Sequence, residues 1–438
     1  MIIKFYNHAC FSVEFKNHKI ICDPYLHGTA FNDGWDLIID NISLEIDYDK
    51  ENYFYFSHEH PDHFSIPYLK SFTKDQASNI NVIYQKTKDG RVKTFLQKIG
   101  FNVIELEDRK KFNLLNDFSI IVGQVPFYDS WACIDIDGFK IVNANDCILE
   151  TPERVVDIKK VTNKCDVLFT QFSYANWVEG GSSNSEERNK LALEKLNRIK
   201  MQSEVLSPNF IVPFASMVRF CHEENNYMND SVNSPEQAVE FIQKNTGSKP
   251  FLMTPYEEWD GRNDKDNNKA VNFWKSSYKK AKNRPLLKQK VSYEFDELNN
   301  SFIIMKKRVM KKNNFLLIKF LSILNIFPKL YMTCSDTNKF YEFSWHGGFK
   351  MTNNSLNNDL ILTSESVKFL FDFDYGVDTL NVNARFHGSL SAKKKLIRCF
   401  SPLALNNTGR YISIFSLITF IFDINFIKQG LRTVGILK

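Results

Sequence analysis

The patterning of the chain predicts a mixed α/β fold, and three observations carry that expectation. Short strand-like apolar runs alternate with helical segments: residues 82–84 read as strand, 90–99 as helix and 101–106 as strand. Several of the strands stop abruptly in polar turns rich in Asp, Asn and His, the position where open sheets carry their sites. The composition is that of an ordinary globular protein, with 43% hydrophobic and 24% charged residues, and 438 residues are enough for two domains or one with an extension.

Residues 2–6 and 11–15 alternate apolar and polar side chains and read as the first two strands. Asn17-His18 turns the chain into a third, 19–22, which ends at Asp23-Pro24. The aromatic run Tyr53-Phe54-Tyr55-Phe56 reads as a buried strand ending at Ser57, and His58-Glu59-His60-Pro61-Asp62-His63 follows. Of the nine histidines in the chain, three fall in this one turn, so chance clustering is the weaker explanation. His58 and His60 are two apart and point the same way from extended backbone. Asp62 and His63 lie beyond Pro61, which interrupts regular structure, and face a second point. Such a set suits paired metal ions.

Residues 118–122 predict another strand, leading to Val125-Pro126-Phe127-Tyr128-Asp129-Ser130-Trp131. No histidine occurs between His63 and His222, and Asp129 is the only metal-competent side chain of that stretch. Residues 133–136 and 140–142 read as a hairpin about Asp137-Gly138, ending in Asn143-Ala144-Asn145-Asp146-Cys147. A strand over 165–171 leads into Phe172-Ser173-Tyr174-Ala175-Asn176-Trp177. A helix is expected over 186–205, with Leu191, Leu193, Leu196, Ile199 and Val205 on or near one face. After a strand at 210–212 come Phe214, Arg219 and His222, the last two as candidate substrate and metal contacts.

A helix over 271–281 and the turn Asn283-Arg284-Pro285 set a boundary between residues 1–285 and 286–438. The second part carries no metal motif. Its apolar runs 315–327 and 411–422 are too short to span a bilayer, given Lys319, Lys329 and Asp423. Both read as buried elements, with weak membrane-surface contact, supported by Lys393-Lys394-Lys395, as the alternative.

The His-x-His-x-Asp-His spacing after a hydrophobic strand resembles the hallmark of the metallo-β-lactamase superfamily, which implies an αββα sandwich with a C-terminal extension or α+β domain. The opening, from Asn7-His8-Ala9-Cys10-Phe11 to Asp23-Pro24, is similar to its lactonase-like and phospholipase-like branch. That likeness implies that Asp23 braces the ligands from behind. Ala30-Phe31-Asn32 with Gly34-Trp35, Asn-x-Asn-Asp-Cys at 143–147 and the 171–177 segment resemble the catalytic domain of CMP-N-acetylneuraminate hydroxylase-like proteins; so do residues 361–371 and 376–382 farther on. The resemblance implies metal ligation by His58, His60, Asp62, His63 and the bridging Asp146. Asp129 is proposed for the missing third histidine. Phe214 stands where a final histidine is expected, which leaves His222 as the candidate there. Asp62 and Asp146 are the catalytic candidates, and Asn176, Trp177 and Arg219 the substrate-binding ones.

The first functional expectation is a metal-dependent hydrolase using two divalent ions, zinc or iron with manganese as an option, to activate water against an anionic small molecule such as a nucleotide sugar or sugar phosphate. The alternative is a non-haem iron oxygenase hydroxylating a nucleotide-sugar acyl group with a separate redox partner. Two histidines and a carboxylate suit it. The hydroxylase family also carries a Rieske centre, whose paired Cys and His ligands this sequence lacks. A carbohydrate-assembly protein with a decayed site is a third option. The net charge of +5 is spread over the chain and does not argue for nucleic acid. Eight scattered cysteines and no leader sequence predict a reducing, cytoplasmic setting.

Overall fold

The computed structural model describes residues 1–178, 184–353 and 358–414. Its first half is built on two seven-stranded sheets. In the first, Glu258–Trp259 forms one edge, followed by β1 (Ile2–Asn7), β2 (Cys10–Phe15), β3 (His18–Cys22), β4 (Glu51–Tyr55), β5 (Ile80–Gln85) and β6 (Asn102–Leu106). The pairing is antiparallel up to β3 and parallel from β3 to β6. The second runs from β7 (Lys111–Leu115) through β8 (Phe118–Val125), β9 (Asp129–Ile136), β10 (Phe139–Asn143), β11 (Val167–Gln171) and β12 (Phe210–Phe214) to the edge pair Lys249–Pro250. It turns from antiparallel to parallel after β10.

The strand period of two decides which side chains go where. Tyr53 and Tyr55 point between the sheets, and Phe54 and Phe56 point outward. The inner faces meet through contacts such as Phe11 stacked on Phe169, with centroids 4.1 Å apart. Outside, α1 (Arg91–Lys98) buries Val92 and Leu96 against Phe54 and Tyr84. On the other side α2 (Pro152–Thr162), α3 (Ser185–Leu206) and α4 (Pro235–Asn245) bury Val155, Ile158, Leu196, Ile199, Ala238 and Ile242. This is the αββα sandwich. The expected helix near 271–281 is α5 (Asn268–Lys282).

The second half begins with α6 (Phe295–Lys312) and α7 (Phe315–Ile323), followed by a five-stranded sheet, α8 (Ser364–Asp372), α9 (Gly376–Asn383) and α10 (Leu390–Asn407). Its core continues into the first half: Phe31, Trp35, Trp177 and Phe220 belong to the same buried cluster as Phe343, Phe371, Phe386 and Leu396.

Two expectations about burial are corrected. Within 315–327, Ile318 and Phe327 are buried but Leu316 is 78% exposed, Ile323 66% and Phe320 55%, because α7 lies on the surface and turns one face inward. Leu193 is exposed rather than on the inner face of α3, one residue after buried Ala192. The apolar run 411–422 falls outside the described residues from 415 onward. No described helix is long and apolar enough to cross a membrane. All eight cysteines are buried and unpaired.

Candidate metal centre

The histidine-rich turn sits at the carboxyl end of β4, and its backbone is held locally. The His63 and Phe64 amides donate to the His60 carbonyl at 3.0 and 2.7 Å. Ser65 then caps the helix Ile66–Lys70, with Pro67 in its first turn. Asp23, just past β3, braces the turn from beneath. Its carboxylate accepts from the Ser57 amide and hydroxyl, both at 2.8 Å, and its Oδ2 lies 3.0 Å from His63 Nδ1. That contact leaves His63 Nε2 facing the cluster.

The second sheet supplies the opposite wall. Asp129 opens β9, and its Oδ1 accepts from the Ser130 amide at 2.7 Å and the Cys147 thiol at 3.4 Å. Asn145 ties the loop after β10 to this segment by donating to the Ser130 carbonyl at 2.8 Å. His58 Nδ1 stands 3.5 Å from Asp129 Oδ1 and 3.9 Å from Asp146 Oδ1. His63 Nε2 lies 3.4 Å from Asp146 Oδ1 and 3.5 Å from Asp62 Oδ2, and His58 Nε2 is 2.9 Å from His60 Nδ1. Three donor sets converge to within 4.8 Å: His58, His60 and Asp62; His58, His63 and Asp146; and His8, Asp62 and His63.

The structure therefore brings together His58, His60, Asp62, His63, Asp129 and Asp146, with Asp23 behind them. It also adds His8, whose Nε2 lies 3.3 Å from Asp62 Oδ2. The opening motif contains His8 but assigns it no role. Its signal was the one that marked Asp23: a polar residue directly after a strand.

The electrostatics of the bare cluster are those of a site built for cations. Burial pulls the His63 imidazole down, but the carboxylates of Asp146, Asp62 and Asp23 outweigh it and hold the ring well above its ordinary range. Burial and the neighbouring His63 push His58 well below that range. Burial, reinforced by Asp146, raises the Asp129 carboxyl well above the usual range. Asp62 Oδ1, His63 Nε2 and Asp146 Oδ1 are buried with no hydrogen-bond partner, which is costly unless something else satisfies them. A bound cation satisfies all three, so the residues fit metal.

Backbone strain collects at the same end of the sheets. His8, Asp23, Tyr128, Asn145 and Ala215 all have φ between 38° and 62°, and all lie at or just beyond strand ends around the cluster. A groove of about 1070 Å³ lies elsewhere, at Lys200, Ser207, Phe210 and Arg262. Phe210 begins β12, so this groove is at the amino end of the parallel strands, away from the cluster.

Three expected site residues are not brought to the cluster. Arg219 is buried in a structural junction, paired with Asp36 at 2.6 Å and donating to the Ala281 and Arg284 carbonyls. The strand Val218–Phe220 pairs with Trp35–Leu37 and carries it there. His222 is buried beside Glu224, 3.2 Å from its carboxylate, in a junction with Arg385. Trp177 is buried against Phe386, with ring centroids 4.9 Å apart, and packs rather than lining an open site. Asn176 beside it is half-buried. Phe214, in place of a final histidine, fills the core against Phe11 and Phe169.

Residues 2–157 match the beta-lactamase superfamily domain. The sandwich and the His–Asp cluster at its strand ends fit that match, and this part of the chain resembles the metallo-β-lactamase superfamily. Among characterised relatives, the chain is similar to cytidine monophosphate-N-acetylneuraminic acid hydroxylase. The mouse protein is 25% identical over 264 residues, covering 56% of this chain and 44% of that protein. The Cricetulus griseus protein is 26% identical over 263 residues, covering 56% and 45%. The chain thus matches less than half the length of these relatives. A human relative described as inactive is 25% identical over 264 residues, covering 56% of this chain and 51% of that one. Solved structures with distant likeness include CmlA, a diiron β-hydroxylase from Streptomyces venezuelae (TM-score 0.40, 14% identity, 59% of this chain and 53% of that one). Another is an isothiocyanate hydrolase from Delia radicum gut bacteria (TM-score 0.42, 12% identity, 59% and 98%).

Proposed function

We propose that the chain is a dinuclear metal enzyme that hydroxylates an anionic, nucleotide-sugar-like small molecule, with electrons from a separate redox partner. The observation that carries this reading is Asp129 beside His58, where a carboxylate takes the place of a third imidazole. A set rich in carboxylate oxygen favours iron over zinc. The sequence likeness to the hydroxylases supports the substrate class.

His58, His60, Asp129 and Asp146 would hold one ion, and Asp62, His63 and Asp146 the other. When bound, the ions supply activation of dioxygen if they are iron, or of water if they are zinc. The protein's own part is preparation. Asp23 holds His63 Nδ1, which fixes the ring so that Nε2 points inward. Ser130 and Cys147 occupy Asp129 Oδ1, which fixes the carboxylate plane. From the C-terminal half, α9 brings Asp378 close enough to feel His60, Glu59 and Arg91. Burial and Glu59 raise its carboxyl, against the opposing pull of His60 and Arg91.

A metal-dependent hydrolase is the second reading. It is favoured by the convergent donor sets His58–His60–Asp62 and His58–His63–Asp146, which equally suit a metal-activated water. The test is to load anaerobically purified protein with iron and supply CMP-N-acetylneuraminate, dioxygen and a two-electron donor. A product heavier by one oxygen atom, the second leaving as water, supports hydroxylation. Cleavage that is independent of dioxygen and persists with zinc supports hydrolysis and overturns the first reading. In parallel, Asp129→His should shift the bound metal from iron toward zinc under identical supply, read by elemental analysis. An unchanged ratio would remove Asp129 from the ligand set.

A further inference from the structure

The basic side chains of α3 are almost all paired. Lys190 binds Glu186 and Glu187, Arg198 binds Glu150 and Glu194, and Lys200 reaches Glu204. Lys195 differs. Among the described residues its ammonium reaches no carboxylate, and its one hydrogen bond, 2.7 Å long, goes to the neutral amide oxygen of Gln171. Gln171 ends β11, and its backbone amide donates to the Asn145 carbonyl at 3.1 Å, one residue before Asp146. Lys195 is half-buried on this edge, close enough for Asp146 and Glu150 to act on its charge, with Arg198 opposing them. Burial pulls the amine down to about 8.

A partly desolvated ammonium with only a neutral partner is costly. In the bare protein the negative charge of Asp146 offsets part of that cost. Once Asp146 neutralises a bound dication, that compensation is gone and the local charge turns positive. Glu150 and Glu194 still act on its charge, but both are engaged by Arg198, so an anion from outside the chain is the partner left for the ammonium.

We propose that Lys195 positions the substrate by binding its oxyanion, a carboxylate or a phosphate, on the Gln171 edge of the metal cluster. This rests on the metal-enzyme reading above. It assigns that site an anion anchor and makes Lys195 a determinant of specificity. A neutral analogue of the substrate loses the anchor, because its binding leaves the ammonium unpaired.

The test uses the full chain loaded with zinc. Inorganic phosphate and acetate are titrated separately by calorimetry into wild type, Lys195→Met, Lys195→Arg and Lys190→Met, with metal content measured on every sample. At least one anion should bind wild type, and Lys195→Met should weaken it by about tenfold or more at unchanged metal content, since one lost charge pair is worth that much. Lys195→Arg should restore most of the affinity, which a purely structural role would not predict. Lys190→Met should match wild type. Phosphate held tighter than acetate identifies a phosphate group, and the reverse a carboxylate. Metal-loaded wild type that binds neither anion, or Lys195→Met that binds as wild type does, overturns the anchor alone. Wild type that takes up no metal overturns the metal-enzyme reading and the anchor with it.

Discussion

His222 and Asp129 are both far in sequence from the His58–His63 turn, yet only Asp129 reaches it. His222 is held instead at the junction of the two halves, facing Glu224, Glu365, Asp33 and Arg385, with a backbone contact at Lys288. Burial, helped by the Arg385 guanidinium, lowers its imidazole from 6.5 to about 4. Between those values the unfolded chain binds a proton that the folded chain does not, so stability rises with pH across that window. The contribution is complete above about 6.5 and is lost as the pH falls toward 4. His222→Gln should therefore flatten the acid side of the stability profile in that window, measured by urea unfolding at a series of pH values. A slope equal to that of wild type would mean that His222 does not titrate there. Nothing in the sequence separated these two residues: an isolated His and an isolated Asp each follow a strand, and what they face belongs to other segments.

Among the elements, the β8–β9 hairpin shows how a strand pair positions a candidate ligand, Asp129. Val125 pairs with Asp129 and Gly123 with Trp131, so the tryptophan lies across the glycine. A Cβ on Gly123 would come 2.1 Å from the Trp131 ring, far inside contact distance. Gly123→Ala should displace Trp131, cost about 1–3 kcal/mol as other overpacked sites do, and disturb Asp129 two residues away. Denaturant unfolding and metal titration of the same variant check both effects. Unfolding and metal affinity equal to wild type would show that the hairpin does not hold Asp129 in place. The next hairpin, β9–β10, was legible from alternation and the Asp137-Gly138 turn, whereas the β8–β9 connection at Pro126–Tyr128 was not. The exposure of α7 was not, because a continuous apolar run carries no period to say which side chains face inward.

For the whole molecule, the halves on either side of residue 285 are joined by more than a shared core. The Trp177 amide donates to the Asn381 carbonyl at 2.8 Å, and Asn225 donates to the carbonyls of Asn383 and Gly34. Arg385, buried, binds Glu224, Glu365 and the Asn32 carbonyl. A Cβ on Gly34 would lie 2.3 Å from that of Asn383, so the two halves touch at backbone distance. Deleting residues 286–438 should uncover Phe31, Trp35, Trp177 and Phe220 and give insoluble or dye-binding protein. A soluble, folded and metal-loaded 1–285 fragment would make the boundary one between independent domains.

The sequence by itself determined the mixed α/β class and most of the candidate metal centre, and its resemblance to a known family implied the sandwich. Strand periodicity and strand-end polar residues are local patterns, and His58, His60, Asp62 and His63 lie within six positions of one another. Asp23 and Asp146 were legible through the resemblance, Asp23 directly after its strand and Asp146 three residues beyond Asn143. The tertiary structure alone decided that Asp129 comes within 3.5 Å of His58, that His8 joins Asp62, and that Arg219 and His222 belong to buried junctions. The physical reason is the same in each case. A side chain's partner is set by which strands and helices pack together, and that packing is chosen by the burial of whole faces rather than by the few residues that meet at their ends.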